Sequence, residues 1–227
     1  MKKELKTVVV IPAYNEEKVI GSVIDNLKKE GFKEIIVIDD GSVDNTFHVA
    51  KEKKVFAYSH IINRGLGGAL NTGISAALMH DADIIVTCDA DGQHDPNDIK
   101  KAISMLIKED LDVVIGSRLI NSKGMPLSRK VINSGASWIT YFLFGVYSSD
   151  TQSGLRVFKK TAAEKIEIKT NRMEVSSEII KEIGRNKFKF KEIPIKAIYT
   201  EYSLAKGQKG SNAFKILYKL ILRKILR

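Results

Sequence analysis

The sequence predicts an α/β protein with a mostly parallel central sheet flanked by helices. Three observations lead there. Short β-branched runs alternate with helical stretches through the first half of the chain, the pattern of βαβ units. Each polar motif that could do chemistry directly follows one of those runs, and ligands of open α/β sheets bind outside the carboxyl ends of the strands. The 227 residues, 44% hydrophobic and 28% charged, can bury one sizeable core and have an ordinary soluble composition.

Thr7 to Ile11 is an apolar β-branched run closed by Pro12 and reads as the first strand. Glu16 to Glu30 follows with apolar residues at three-to-four spacing, the mark of a helix covering a sheet. The pattern repeats with strands at Glu34 to Asp39, Val55 to Ser59, Ile84 to Cys88 and Val113 to Gly116. Between them, Asp44 to Lys53, Gly67 to Met79 and Pro96 to Glu109 read as helices. Asp95 is the natural cap of the last, standing before Pro at the first helical position. The second half is less regular. Val131 to Ser149 carries no charge over nineteen residues, but Asn133, Ser134, Ser137 and two glycines dilute it. A buried helix, an interfacial helix and a membrane span all remain open for it. Ile193 to Tyr199 reads as a late strand, and Asn212 to Arg227 as a helix with Phe214, Leu217, Ile221 and Ile225 on one face. Lysines and arginines fall largely off that stripe, which suits a helix lying in a membrane interface.

The net charge is +10, and its distribution is uneven. Ala205 to Arg227 holds seven basic residues and no acidic one, leaving 30 basic against 27 acidic elsewhere. Such a tail calls for an anionic partner, a membrane surface or a nucleic acid. Its apolar stripe and its single aromatic pair, Phe214 and Tyr218, favour lipid, so no nucleic acid is expected. Cys88 is the one cysteine, which excludes a disulfide scaffold and fits a reducing compartment. The apolar run after Lys2 and Lys3 is too short for a secretory signal. The expected location is cytoplasmic, peripheral at the inner face of the cell membrane.

The sharpest chemical cluster is Asp89-Ala90-Asp91-Gly92-Gln93-His94-Asp95, immediately after the fourth strand. Carboxylates this close repel unless a cation offsets them. Asp89, Asp91 and the amide oxygen of Gln93 suit a hard divalent ion that keeps waters and grips a diphosphate. His94 reads as a turn residue. Pro12 to Glu16 and Asp39-Asp40-Gly41-Ser42 end the first two strands on the same sheet edge. Tyr14 offers a ring for a base, and Asp39 or Asp40 can accept from a base N–H or ribose hydroxyls. The glycine-rich Asn63 to Ala69 segment is not a dinucleotide fingerprint, because Leu70 stands where the third glycine belongs.

These motifs, with Gly116-Ser117-Arg118 and Asp150 to Phe158, resemble those of the family 2 inverting glycosyltransferases. Within that family the chain is similar to the dolichyl- or polyprenyl-phosphate hexose synthases. The resemblance implies a GT-A fold, a Rossmann-like sheet with a C-terminal amphipathic basic helix. It further implies a catalytic domain over residues 1–211, with a nucleotide-sugar half (1–118) and an acceptor half (119–211), followed by a membrane-associating helix at 212–227. The implied nucleotide-sugar set is Pro12, Tyr14, Glu16, Val37, Asp39, Asp40, Asp89, Ala90, Asp91 and Lys206. Mg²⁺ or Mn²⁺ is implied at Asp89, Asp91 and Gln93. Arg118, Arg129, Asn133 and Ser134 would surround the acceptor phosphate, where guanidinium forks fit its oxygens. Asp89, Asp91, Arg118 and Asp150 form the catalytic set. The synthases often carry an arginine where this chain has Thr200, six residues before Lys206, and a serine where it has Asn133. They commonly end in transmembrane helices or work with a small membrane protein, so a separate membrane partner is expected.

A polyprenyl phosphate is already an anion near neutral pH, its second pKa being about 6 as in phosphoamino acids, and needs no general base. A sugar hydroxyl would need one, and Asp150 is then the base. Either acceptor gives in-line displacement at the anomeric carbon with inversion, the protein supplying alignment and charge stabilisation. Transfer to a hydroxyl of a polysaccharide or glycolipid is thus one rival reading. A sugar nucleotidyltransferase is another, but Pro12 to Glu16 lacks its glycine-rich basic loop. A non-enzymatic nucleic-acid-binding module built on the basic tail is a third.

Overall fold

The computed structural model describes residues 5–122, 125–196 and 198. Lys206 and the helix expected at Asn212 to Arg227 lie outside them. The five β-branched runs form strands β1 (Thr7–Ala13), β2 (Glu34–Asp39), β3 (Phe56–Ser59), β4 (Ile84–Thr87) and β5 (Val113–Ser117). Between them lie helices α1 (Ile20–Lys29), α2 (Thr46–Glu52), α3 (Leu66–Met79) and α4 (Pro96–Lys108). The helix expected from Glu16 starts only at Ile20, because the Glu16 carbonyl first accepts the amides of Val19 and Ile20 in a turn. The Asp95 carboxylate accepts the Asn97 amide at 2.9 Å and caps α4 as expected.

The second half adds α5 (Leu127–Phe144), β6 (Arg156–Lys159), α6 (Lys160–Ala163), α7 (Val175–Arg185) and β7 (Phe190–Pro194). The sequence reading missed β6 and α7. The late strand expected at Ile193 to Tyr199 instead starts at Phe190 and ends at Pro194. The Ile195 amide still donates to the Ser117 carbonyl of β5 at 3.0 Å, and the chain then turns to other partners. The Lys196 amide donates to the Asp98 carboxylate at 2.9 Å, and the Ile198 amide donates to the Gln93 carbonyl at 3.0 Å.

The seven strands form one sheet in the order β3-β2-β1-β4-β6-β5-β7. All neighbours are parallel except β6, which runs antiparallel between β4 and β5. Side chains alternate across this sheet. Val9 and Ile11 pack beneath α1 and α4, while Val8 and Val10 pack beneath α3 and α7. Burial on both faces explains why the strands read as unbroken apolar runs rather than alternating ones. The strand order reverses at β1 and β4, and their carboxyl ends open the crevice where such folds bind ligands.

The uncharged run of Val131 to Ser149 overlaps α5, and the buried-helix reading is corrected here. Only Ser137 and Thr140 of α5 are buried. Thr140 meets Ser177 of α7 across a 2.9 Å hydroxyl contact. Trp138, Phe142 and Tyr147 remain exposed, because a helix joined to its neighbour through small polar residues turns its aromatic side outward. Among the described residues no helix is long and apolar enough to cross a membrane.

Glycines let α3 approach its surroundings closely. A Cβ on Gly73 would lie 2.2 Å from Val10 Cγ1. One on Gly67 would lie 1.8 Å from the Thr170 carbonyl oxygen, on the segment before α7. Backbone cannot yield there as a flexible side chain would, so Gly67→Ala is expected to cost about 3 kcal/mol of stability. Urea melts of variant and wild type check this; equal midpoints would contradict it.

Candidate active site

The loops after β1 and β2 are tied together before any ligand is considered. The Asn15 amide donates to Ser42 Oγ at 2.9 Å, and the Glu16 amide donates to Thr46 Oγ1 at 2.7 Å. Asn15 sits at φ 54°, a left-handed conformation that asparagine tolerates better than most residues. This turn leaves Tyr14 part-exposed at the sheet edge and draws Glu16 inward to 8% exposure.

Asp39 is buried, its two oxygens accepting from the Ser42 amide at 3.2 Å and Ser59 Oγ at 2.6 Å. Asp40 has a different part from the one expected. Its carboxylate takes His60 Nδ1 at 2.7 Å, the Arg64 amide at 2.9 Å and the Gly65 amide at 2.6 Å. It therefore pins the glycine-rich segment before α3 rather than facing a nucleotide. Val37 is wholly buried in β2, paired with Ile11 and Ala57. Pro12 pairs with Ile38 at the end of β1, and Ala90 is buried in the turn after β4.

That turn carries the two carboxylates. Gly92 adopts φ 75°, where a side chain would be strained, and the Gln93 amide folds back onto Asp91 Oδ1 at 3.0 Å. Burial pushes the Asp91 carboxyl up, the neighbouring charges of Asp89 and Glu16 add to it, and it reaches about 6. Burial also raises Asp89, but the hydrogen bond from His94 and the guanidiniums of Arg118 and Arg156 outweigh it and hold this carboxyl below its ordinary range. Burial and the same two carboxylates push the Cys88 thiol up, so it remains protonated and inert.

Gly154, in the loop between α5 and β6, lies against this pair. A Cβ there would sit 2.2 Å from both Asp89 oxygens, and Thr87 Oγ1 donates to the Gly154 carbonyl at 2.9 Å to fix the approach. The fit to a divalent cation rests on this donor set. Asp89 and Asp91 supply hard oxygens of the kind Mg²⁺ and Mn²⁺ prefer. Among the described residues no three His, Cys, Asp or Glu side chains group as a metal site. Gln93 is buried, and its backbone carbonyl accepts from the Ile198 amide.

Asp150 and Arg118 meet as a buried pair. Arg118 donates through Nε at 2.7 Å, Nη2 at 2.9 Å and its own amide at 3.1 Å. Asp150 is 0% exposed. A carboxylate so enclosed and bidentately held anchors the Arg118 guanidinium. The same fork turns Arg118 toward Asp150, where an acceptor phosphate was expected. Arg156 of β6, wholly buried, donates through Nη2 to the Thr151 carbonyl at 3.1 Å, while its Nε has no partner among the described residues. Burial lowers its pKa to about 10, against the opposing charges of Asp89 and Asp150.

Of the remaining acceptor residues, Ser134 lines a cavity of about 180 Å³ together with Leu119, Lys130, Ser137, Trp138, Tyr147 and Ser149. Arg129 and Asn133 lie on α5 but do not line it. Lys130 is the cation there, and the sequence reading passed it over for Arg129 beside it.

A mostly parallel sheet with paired carboxylates at its switch point, reinforced by one antiparallel strand, is the GT-A class of glycosyltransferase. The chain belongs to glycosyl transferase family 2, whose family model matches residues 8–173. It is 50% identical to an uncharacterised protein of Methanocaldococcus jannaschii, covering 96% of this chain and 91% of that one. It is 44% identical to the UDP-N-acetylglucosamine–dolichyl-phosphate N-acetylglucosaminyltransferase of Methanococcus voltae, over 95% of each chain. Among solved structures, glucosyl-3-phosphoglycerate synthase from Mycobacterium tuberculosis, crystallised with Mn²⁺, UDP and phosphoglyceric acid, matches with a TM-score of 0.71. Its identity is 21%, over 96% of this chain and 79% of that one.

Two substitutions separate the parts of this site. A carboxyl whose pKa rises on folding opposes folding above that pKa, and the penalty fades as pH falls through about 6 for Asp91. Without metal at pH 7, Asp91→Asn is therefore expected to melt at or slightly above the wild-type temperature, while with Mn²⁺ present its sugar transfer falls by roughly 100-fold or more. Asp150→Ala takes from the part-buried Arg118 guanidinium the carboxylate that its Nε and Nη2 both reach and is expected to lose about 3 kcal/mol of stability. Thermal melts and turnover on both variants check the contrast; a strongly destabilised Asp91→Asn or an undisturbed Asp150→Ala would reverse these assignments.

Proposed function

We propose that the chain transfers a sugar from a nucleoside diphosphate sugar to a polyprenyl or dolichyl phosphate at a membrane surface, with inversion at the anomeric carbon. The state of Asp150 carries this reading. It is the carboxylate available by sequence to deprotonate a hydroxyl acceptor, yet it is buried and held by Arg118 through both oxygens. An acceptor that arrives as an anion needs no such base.

Asp89 and Asp91 would hold Mg²⁺ or Mn²⁺, which when bound offsets the charge on the leaving nucleoside diphosphate. Tyr14, Glu16 and Asp39 are grouped by the tied β1 and β2 loops to hold the nucleoside. The 44% identical relative supports a uridine diphosphate N-acetylhexosamine donor over GDP-mannose.

The cavity under α5 suits the acceptor phosphate, with Lys130 for charge and Ser134, Ser137 and Ser149 as hydroxyl donors. Leu119 to Ser149 contains no acidic residue, so nothing on this segment repels an anionic surface. Trp138, Tyr141, Phe142 and Tyr147 form a mutually packed and exposed aromatic group beside the cavity, as residues at a bilayer interface do.

Release of nucleoside diphosphate from a panel of UDP- and GDP-sugars with Mn²⁺, with and without a short polyprenyl phosphate, tests the reading. Lipid-dependent release from a UDP-N-acetylhexosamine is expected. Release that ignores the lipid, or requires a saccharide acceptor, would overturn it. In the same assay Lys130→Ala is expected to raise the half-saturating lipid phosphate concentration about tenfold, the loss of one charge-assisted contact, while the donor's is unchanged.

A further inference from the structure

His94 is a buried titratable side chain that the chemistry described above leaves without a task. It comes five residues after Asp89 and one before the cap of α4, at the end of the turn that carries both carboxylates. Its side chain is 5% exposed while that of Asp89 is 37% exposed, so the imidazole lies on the protein side of the carboxylate and the carboxylate lies on the open side. His94 Nε2 stands 3.2 Å from Asp89 Oδ2, and Nδ1 has no partner among the described residues. The contact with Asp89 is thus the polar contact that the imidazole makes there.

The oxygens of the pair divide accordingly. Asp89 Oδ2 faces His94, and Asp91 Oδ1 accepts the Gln93 amide at 3.0 Å. The Gly154 backbone also approaches Asp89, so close that a Cβ there would reach 2.2 Å from both of its oxygens. A carboxylate held by a donor and crowded by backbone has little rotational freedom left. Fixing it in advance removes an ordering cost from whatever binds it.

We propose that His94 is a positioning residue: with its proton on Nε2 it holds Asp89 Oδ2 and so presents Asp89 Oδ1 to the divalent cation of the donor site. The idea rests on the metal reading of Asp89 and Asp91. Partners of metal-binding carboxylates typically change metal affinity by 10–100-fold when removed. Glutamine can extend an amide N–H to about the place of Nε2, whereas alanine leaves Asp89 without a donor.

The test is Mn²⁺ binding to the full chain in the presence of UDP, followed by the loss of the free-ion paramagnetic resonance signal, with thermal melts alongside. His94→Ala is expected to weaken Mn²⁺ by 10–100-fold at a melting temperature within a few degrees of wild type, with His94→Gln recovering most of the loss. Wild-type affinity in His94→Ala overturns the proposal, as does equal weakening in both variants. If His94→Ala is unstable, the comparison of His94→Gln with wild type decides, since a folded glutamine variant that binds as weakly as Asp89→Asn leaves no positioning role. A wild-type chain that binds no Mn²⁺ with UDP removes the metal reading itself, an outcome distinct from the failure of His94 alone.

Discussion

Carboxylates gathered at one edge of a sheet, partly withdrawn from water, are the constraint from which the remaining arrangement follows. Asp89, Asp91, Glu16 and Asp39 all collect where β1, β2 and β4 end. Coulomb repulsion at this range is worth several kcal/mol when solvent screening is weak. Burial chiefly, and then the charges of Asp89 and Glu16, raise Asp91 to about 6. A polar site held under such tension is poised for a cation, and catalytic centres regularly trade stability for that readiness.

The protein answers part of the charge from within. β6 enters antiparallel between β4 and β5 and brings Arg156 into the sheet, while the loop before it brings Asp150 to Arg118 and Gly154 to Asp89. The second half of the chain thereby braces the chemistry of the first. Replacing one member of the Asp150–Arg118 pair is costly because the remaining charge loses its opposite charge in a largely desolvated place. Asp40 does analogous work on the other side, where backbone amides of the glycine-rich segment and His60 close around it. These buried carboxylates act as anchors; Asp89 and Asp91 keep an open face.

The first five strands and four helices were legible because each carries a local signal: β-branched runs for buried parallel strands, three-to-four spacing for the covering helices, an Asp-Pro start for α4. The signal for α7 was also present in Val175, Ile179, Ile180 and Ile183, all buried, and was overlooked. β6 is a different case. Four residues opening with a charged arginine have no strand signature of their own, and only pairing on both sides makes them one. The paired carboxylates were legible from spacing alone. The anchoring contacts of Asp40 and Asp150 were not, since a carboxylate that anchors and one that reacts are the same letter in a sequence.

By itself the sequence determined the α/β class, the family, and the turn that carries Asp89 and Asp91, because those depend on periodicity and on residues adjacent in the chain. Tertiary structure alone decided which charges face each other: Arg118 to Asp150, His94 to Asp89, Lys130 rather than Arg129 toward the cavity. It also decided that α5 turns its aromatic side outward. Partners 32 residues apart, as Arg118 and Asp150 are, meet only through the folded path of the chain, and burial, which separates an anchor from a reactive group, exists only once that path has closed.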